Sequence, residues 1–308
     1  MSKIQEALNR IQRPGKSAGP SASGGVLDSS EAATFLGKPT PEVNDQGVVI
    51  EPDDGGLIAI DREALRAEGY LAPQQQERHI ADQYRIIKRP LIENALGKTA
   101  ADLSEANLIM VTSALPGDGK TFNCINLALS MAREKDLTVL LVDADVAKPH
   151  VSELFNVADR PGMIDILNGQ ASFESVVMRT DLPRLSLLPA GSPDASATEL
   201  LASRRMEGFV HDLSRSSPNR IVIFDSPPLL ATSEARVLAT HIGQIAMIVR
   251  AGKTPQRAVQ DALNGLDKSK AINLILNESS SGVGSEGYGF YGYGYGYGHG
   301  NREPVTDS

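Results

Sequence analysis

One stretch, NLIMVTSALPGDGKTFNCINLALSMA (residues 107–132), restricts the fold more than any other. Its first seven residues form a short apolar run without polar alternation, as in a strand buried on both faces. Gly117 and Gly119 then allow a tight turn, and a helical pattern over 120–134 follows. Five more apolar runs repeat the strand signal, at 137–143, 185–189, 220–225, 244–249 and 272–277. Helical patterns lie between them at 203–215, 233–241 and 255–267. This alternation predicts an α/β fold, a doubly wound and mostly parallel sheet flanked by helices. An earlier helix is expected over HIADQYRIIKRPLIENAL, where Ile80, Tyr84, Ile87, Leu91 and Ala95 share a face and Pro90 introduces a kink.

The two ends read differently. In MSKIQEALNRIQR (1–13), Ile4, Leu8 and Ile11 have the spacing of a short amphipathic helix, ended by Pro14. Residues 14–76 are rich in Pro, Gly, Ser and Asp and predict a flexible linker, with a short helix inside it at DREALRAEGYL. The ordered domain is expected over 77–280. The remainder, 281–308, contains GYGFYGYGYGYGHG, which carries Tyr288, Tyr291, Tyr293, Tyr295 and Tyr297, five of the seven tyrosines in the chain. Glycine is costly to order and offers no side chain to pack, so this segment is expected as a disordered tail with its phenols in water.

Composition removes several function classes. A net charge of −8 argues against a nonspecific nucleic-acid binder. The single cysteine, Cys124, excludes an intramolecular disulfide, fits a reducing cytoplasm and reads as a small buried hydrophobe. No apolar run approaches the ~18–20 residues that cross a bilayer, so a cytoplasmic chain is expected.

The turn after the first strand has the spacing of a phosphate-binding P-loop, G-x-x-x-x-G-K-[ST], with Ala114 at the first glycine. In such a loop, backbone N–H groups and a helix N-terminus surround phosphate oxygens. Pro116, Gly117, Asp118, Gly119, Lys120, Thr121 and Phe122 are therefore the expected ATP-binding residues. Lys120 would reach the β- and γ-phosphates, and the Thr121 hydroxyl would ligate Mg²⁺. VLLVDADVAKP ends a strand with Asp143 and Asp145, which face the same side if the strand runs that far. IVIFDSPP ends another strand with Asp225. Ligands of open α/β sheets bind beyond the carboxyl ends of the strands, so these three acids are expected to serve Mg²⁺, and one of them to accept a proton.

Together, ALPGDGKT, LLVDAD and IVIFDSPP resemble the Walker A, A′ and B motifs of the bacterial tyrosine autokinases, over about residues 77–300. The resemblance implies ATP-dependent autophosphorylation of the tail tyrosines, with Lys120, Asp143 and Asp145 as catalytic residues and Asp143 or Asp145 deprotonating the tyrosine. It also implies a role in exopolysaccharide biosynthesis at the inner face of the membrane. The implied partners are a membrane chain-length determinant that activates the kinase and a cognate tyrosine phosphatase, with a homo-oligomeric ring when unphosphorylated. Two departures stand out. Ala147 occupies the arginine position of the A′ motif, with Lys148 next to it, and Asp82, Arg85 and Lys88 replace the E-x-x-R-x-x-R used in ring assembly. Two other readings start from the same motifs or from the tail. A ParA- or MinD-like switch ATPase would need a lysine where this chain has Leu115. A non-catalytic assembly module with a self-associating tail would leave the P-loop and the aspartates without a task.

Overall fold

The computed structural model describes residues 57–98 and 103–279, together with the backbone of two short antiparallel strands, β1 (Glu42–Val43) and β2 (Val49–Ile50). The helix expected at 1–13 and the tail at 281–308 lie outside the described residues. The sheet is formed by β3 (Leu57–Ile58), β4 (Leu108–Ser113), β5 (Thr138–Asp143), β6 (Met178–Thr180), β7 (Leu185–Leu188), β8 (Arg220–Asp225), β9 (Gln244–Arg250) and β10 (Ala271–Asn277). Their spatial order is β10-β9-β4-β8-β5-β7-β6-β3, and every neighbouring pair is parallel except β6 with β7. All six strands expected from apolar runs are present. β3 and β6 are too short to leave a signal in the sequence.

Among the helices, α1 (Arg62–Ala67), α2 (Glu77–Ala95), α3 (Lys120–Met131) and α4 (His150–Leu154) come first. They are followed by α5 (Met163–Leu167), α6 (Phe173–Val176), α7 (Ala197–Leu201), α8 (Arg204–Arg215), α9 (Ser233–His241) and α10 (Gln256–Asn264). α2 runs through Pro90, as its apolar spacing requires. Ser203 caps α8 and Thr232 caps α9, each accepting a backbone N–H three residues on.

The core has two apolar clusters, one on each face of the sheet. Leu108, Met110, Leu140, Val142, Val222 and Phe224 point to one face, where Phe209 and Leu213 of α8 meet them. Ile109, Val111, Val139, Leu141, Ile221 and Ile223 point to the other, against Tyr84 and Leu91 of α2 and Ile125 and Met131 of α3. Successive residues of each strand thus alternate between two dry layers, which is why the runs are continuously apolar.

The expected linker is overturned for residues 57–76. β3 pairs with β6 in parallel, and Asp61 caps α1 by accepting the N–H groups of Glu63 and Ala64. Ile58, Ile60 and Leu65 are buried in the second cluster. Asn126 of α3 holds this segment by donating to the Tyr70 carbonyl at 2.8 Å. Averaged composition hid a three-residue apolar anchor inside a polar stretch, so residues 57–76 belong to the packed domain rather than to a linker. No described helix is long and apolar enough to cross a membrane.

Candidate active site

The carboxyl ends of the central strands β4, β5 and β8 meet at one edge of the sheet. β4 passes directly into the P-loop, and α3 starts at Lys120. Gly117 (φ 83°) and Gly119 (φ 90°) take left-handed conformations that favour glycine. A Cβ on Gly119 would come within 2.2 Å of Asn277 Nδ2. Ala114, at the consensus glycine, does not need a positive φ.

Parallel pairing brings two of the predicted acids side by side, since Asp143 and Asp225 are register partners on β5 and β8. Asp225 is completely buried, and its Oδ2 accepts the Thr121 hydroxyl at 2.8 Å. Lys120 Nζ lies 2.9 Å from Asp145 Oδ2. The P-loop lysine and threonine are therefore each tied to a different aspartate at this edge of the sheet.

The strand ends at Asp143, so Asp145 lies beyond it, and the two carboxylates take different partners. Asp143 Oδ2 accepts both the backbone N–H and the hydroxyl of Ser152, at 2.7 and 2.8 Å, and its Oδ1 accepts the Asp145 N–H at 3.3 Å. It anchors α4, while Asp145 faces Lys120. Asp118 also turns inward. Its carboxylate accepts the Leu115 N–H at 3.2 Å and the Thr254 hydroxyl at 2.7 Å, which leaves only its backbone to face a phosphate. Pro116 and Gly117 form the exposed apex, and Phe122 is half-buried beside Gly119 and Asn277 on a groove wall.

The electrostatics follow from burial. Desolvation, and then the neighbouring Asp225, push the Asp143 carboxyl up to about 7 against the pull of the Ser152 bonds. Burial likewise pushes Asp225 up to about 6, opposed chiefly by Lys120. For Lys120, burial favours the neutral amine, but Asp225 and Asp145 outweigh it and hold the ammonium above its ordinary range. Cys124 is fully buried with its thiol pushed well up, an inert packing residue.

A Mg²⁺ ion fits part of the expected donor set. Asp225 Oδ1 is buried without a hydrogen-bond partner. An orphaned carboxylate oxygen beside the Thr121 hydroxyl suits a hard cation or its water. Among the described residues no three His, Cys, Asp or Glu side chains form a metal cage. Mg²⁺ commonly relies on one or two carboxylates plus phosphates and water, so Thr121 and Asp225 are an adequate protein contribution.

Several contacts around the site had no sequence motif. Asn123 bridges the Tyr84 hydroxyl of α2 and the Gly119 carbonyl, at 2.9 Å each. Asn277 donates to the Asp118 carbonyl at 3.0 Å. Lys148 and Ala147 are exposed, and the Lys148 N–H caps back onto the Asp145 carbonyl at 3.0 Å. Lys88, expected on a ring-forming face, is buried and bonds the Ser130 carbonyl (2.8 Å) and Glu134 (2.6 Å) of its own chain. Asp82 and Arg85 remain exposed and paired with each other.

Residues 106–252 match a family model described as an AAA domain. The chain is 31% identical over 211 residues to the tyrosine-protein kinase YwqD of Bacillus subtilis, covering 68% of this chain and 85% of that protein. It is 33% identical over 181 residues to the succinoglycan biosynthesis transport protein ExoP of Rhizobium meliloti, covering 57% of this chain and 23% of that one. The chain spans about a quarter of the length of the longer curated relatives it matches. Among solved structures, the kinase domain of the Escherichia coli tyrosine kinase ETK superposes with a TM-score of 0.58 at 25% identity, over 77% of this chain and 94% of that domain. Likeness to YwqD over most of both chains, on a shared fold and P-loop, places this chain in the bacterial tyrosine-protein kinase family.

Proposed function

We propose that this chain transfers the γ-phosphoryl group of ATP to tyrosine hydroxyls, those of Tyr288, Tyr291, Tyr293, Tyr295 and Tyr297 among them. The observation that carries the reading is the pair of ties Lys120–Asp145 and Thr121–Asp225, on a fold shared with a tyrosine kinase domain. Backbone N–H groups of residues 117–122 hold the phosphates at the start of α3. Lys120 leaves Asp145 for the β- and γ-phosphates and offsets their charge. Thr121 and Asp225 would hold Mg²⁺, which would supply further positive charge to offset that of the phosphates.

The departure of Lys120 frees the Asp145 carboxylate, which accepts the tyrosine proton. The phenolic oxygen bonds to the γ-phosphorus as the bond to the bridging oxygen breaks, and ADP leaves. Asp143, fully committed to Ser152 and the Asp145 N–H, positions Asp145 rather than touching the substrate.

Each phosphotyrosine adds about −1.5 to −2 charges. Several of them on a chain of net charge −8 would repel one another and the domain, releasing the tail and loosening a ring of copies. Family membership and relatives such as ExoP support a place in exopolysaccharide biosynthesis. We place the chain at the inner face of the membrane, with a chain-length protein as activator and a phosphatase resetting the tail.

Mass spectrometry of the tail after incubation with Mg-ATP tests the reaction. Phosphotyrosine is expected between Tyr288 and Tyr297 in the wild type and none in Lys120→Met. Tail phosphotyrosine gained by purified Lys120→Met would sink the assignment.

A further inference from the structure

Helix α2 reaches the nucleotide loop through two buried hydrogen bonds that the transfer chemistry does not use. Tyr84 packs into the second apolar cluster, is 4% exposed, and its hydroxyl donates to Asn123 Oδ1 at 2.9 Å. Burial pushes the Tyr84 phenol up, so the hydroxyl keeps the proton that it donates. Asn123 is equally buried, and its Nδ2 donates to the Gly119 carbonyl at 2.9 Å. The same carbonyl accepts the Asn123 backbone N–H at 3.1 Å. A carbonyl oxygen can only accept, so the Asn123 amide turns its nitrogen to Gly119 and its oxygen to Tyr84. The peptide that follows is planar and trans, with its C=O and N–H pointing in opposite directions. Holding the Gly119 carbonyl therefore sets the direction of the Lys120 N–H, one of the donors at the start of α3.

We propose that Tyr84 is a positioning residue for nucleotide binding, which acts through Asn123 to hold the Gly119–Lys120 peptide so that the Lys120 N–H faces the phosphates. The inference rests on the nucleotide-binding part of the kinase reading above. Without the Tyr84 hydroxyl, Asn123 Oδ1 loses its donor in a buried place, and the amide gains by swinging away. That swing takes Nδ2 from the Gly119 carbonyl and lets the peptide rock. Asn126, one turn further along α3, supplies no substitute, because its Nδ2 is occupied by the Tyr70 and Phe122 carbonyls.

The test compares wild type, Tyr84→Phe, Asn123→Ala and the double variant, with Mg-ATP binding read by calorimetry and phosphoryl transfer read separately. Tyr84→Phe keeps the ring in its cluster and removes only the hydroxyl. Each single variant is expected to raise Kd for Mg-ATP about fivefold, the scale of one hydrogen bond. The double variant should lose no more than either single one, because both changes break the same chain of bonds. At saturating ATP, kcat should stay within about twofold, since the Lys120 N–H meets the phosphates before and during transfer. A change that only loosened the fold would lower the melting temperature and leave Kd unmoved. Unchanged Kd in Tyr84→Phe, with or without a fall in kcat, overturns the proposal. A double variant whose loss is the product of the two single losses overturns it as well. If Asn123→Ala does not fold, Tyr84→Phe decides alone. A wild type that binds Mg-ATP and transfers nothing overturns the kinase reading and leaves the binding comparison to decide the role of Tyr84.

Discussion

At the residue scale, the site is a small set of charges held out of water, and its ionisation is linked to stability. Asp143 and Asp225 titrate at about 7 and about 6 in the folded chain, against an ordinary carboxylate value near 4 when unfolded. Between those limits the native state keeps protons that the unfolded state has released. Unfolding free energy therefore falls as pH rises from about 4 to about 7 and levels off above. For each group the fall is about 1.4 kcal/mol per pH unit between its unfolded and folded titration points. Asp225→Asn removes one of these groups and the charge that helps raise the other. Urea unfolding at pH 5, 6.5 and 8, without nucleotide or Mg²⁺, should show a shallower decline in the variant, and parallel slopes would contradict this account. The residue types were legible at this scale, because a glycine turn followed by Lys-Thr and three strand-end aspartates carry their chemistry in their spacing. The division of labour among the aspartates was not. It depends on Ser152 reaching Asp143, a contact made across a loop with no periodic signal.

At the element scale, each helix reports how its apolar face meets the sheet. In α8, Met206, Phe209, Val210 and Leu213 are buried at i, i+3, i+4 and i+7, the spacing that made this helix predictable. Phe209 packs against the strand residues of the first cluster and tilts 55° against Phe173, with ring centroids 6.4 Å apart. Phe209→Ala should cost about 3–5 kcal/mol, the usual range for a buried aromatic whose cavity relaxes only partly. A fall in denaturant midpoint at unchanged m-value would show it, and a loss below ~1 kcal/mol would mean that this face is not a core contact. Long elements were legible because burial of one face imposes a period. β3, β6 and the short helices α4 to α7 were not, since two to five residues cannot display one. The 57–76 segment shows the same limit, with Ile58, Ile60 and Leu65 too few to stand out from polar neighbours.

At the scale of the whole molecule, an acidic domain of the kinase family would carry its own substrate on a glycine string, which makes phosphorylation a change of charge on the assembly. If that charge loosens a ring, Mg-ATP should lower the oligomer mass of the wild type and leave a variant with all five tail tyrosines changed to Phe unaffected. Identical ATP-induced dissociation of both proteins, measured by light scattering, would remove the charge-switch idea without touching the phosphoryl transfer. Lys88 adds a constraint on any ring, because it is spent inside the subunit on Ser130 and Glu134 and cannot also reach a neighbour. By itself the sequence determined the α/β class and the six strands that carry apolar runs, and it marked the P-loop, because periodicity and motif spacing are local properties. Only the tertiary structure decided that Asp145 rather than Asp143 faces Lys120, that residues 57–76 pack into the core, and that Arg250 and Asn277 bond the P-loop backbone. Those outcomes depend on parallel strand register and on contacts between residues far apart in the chain, which no local pattern encodes.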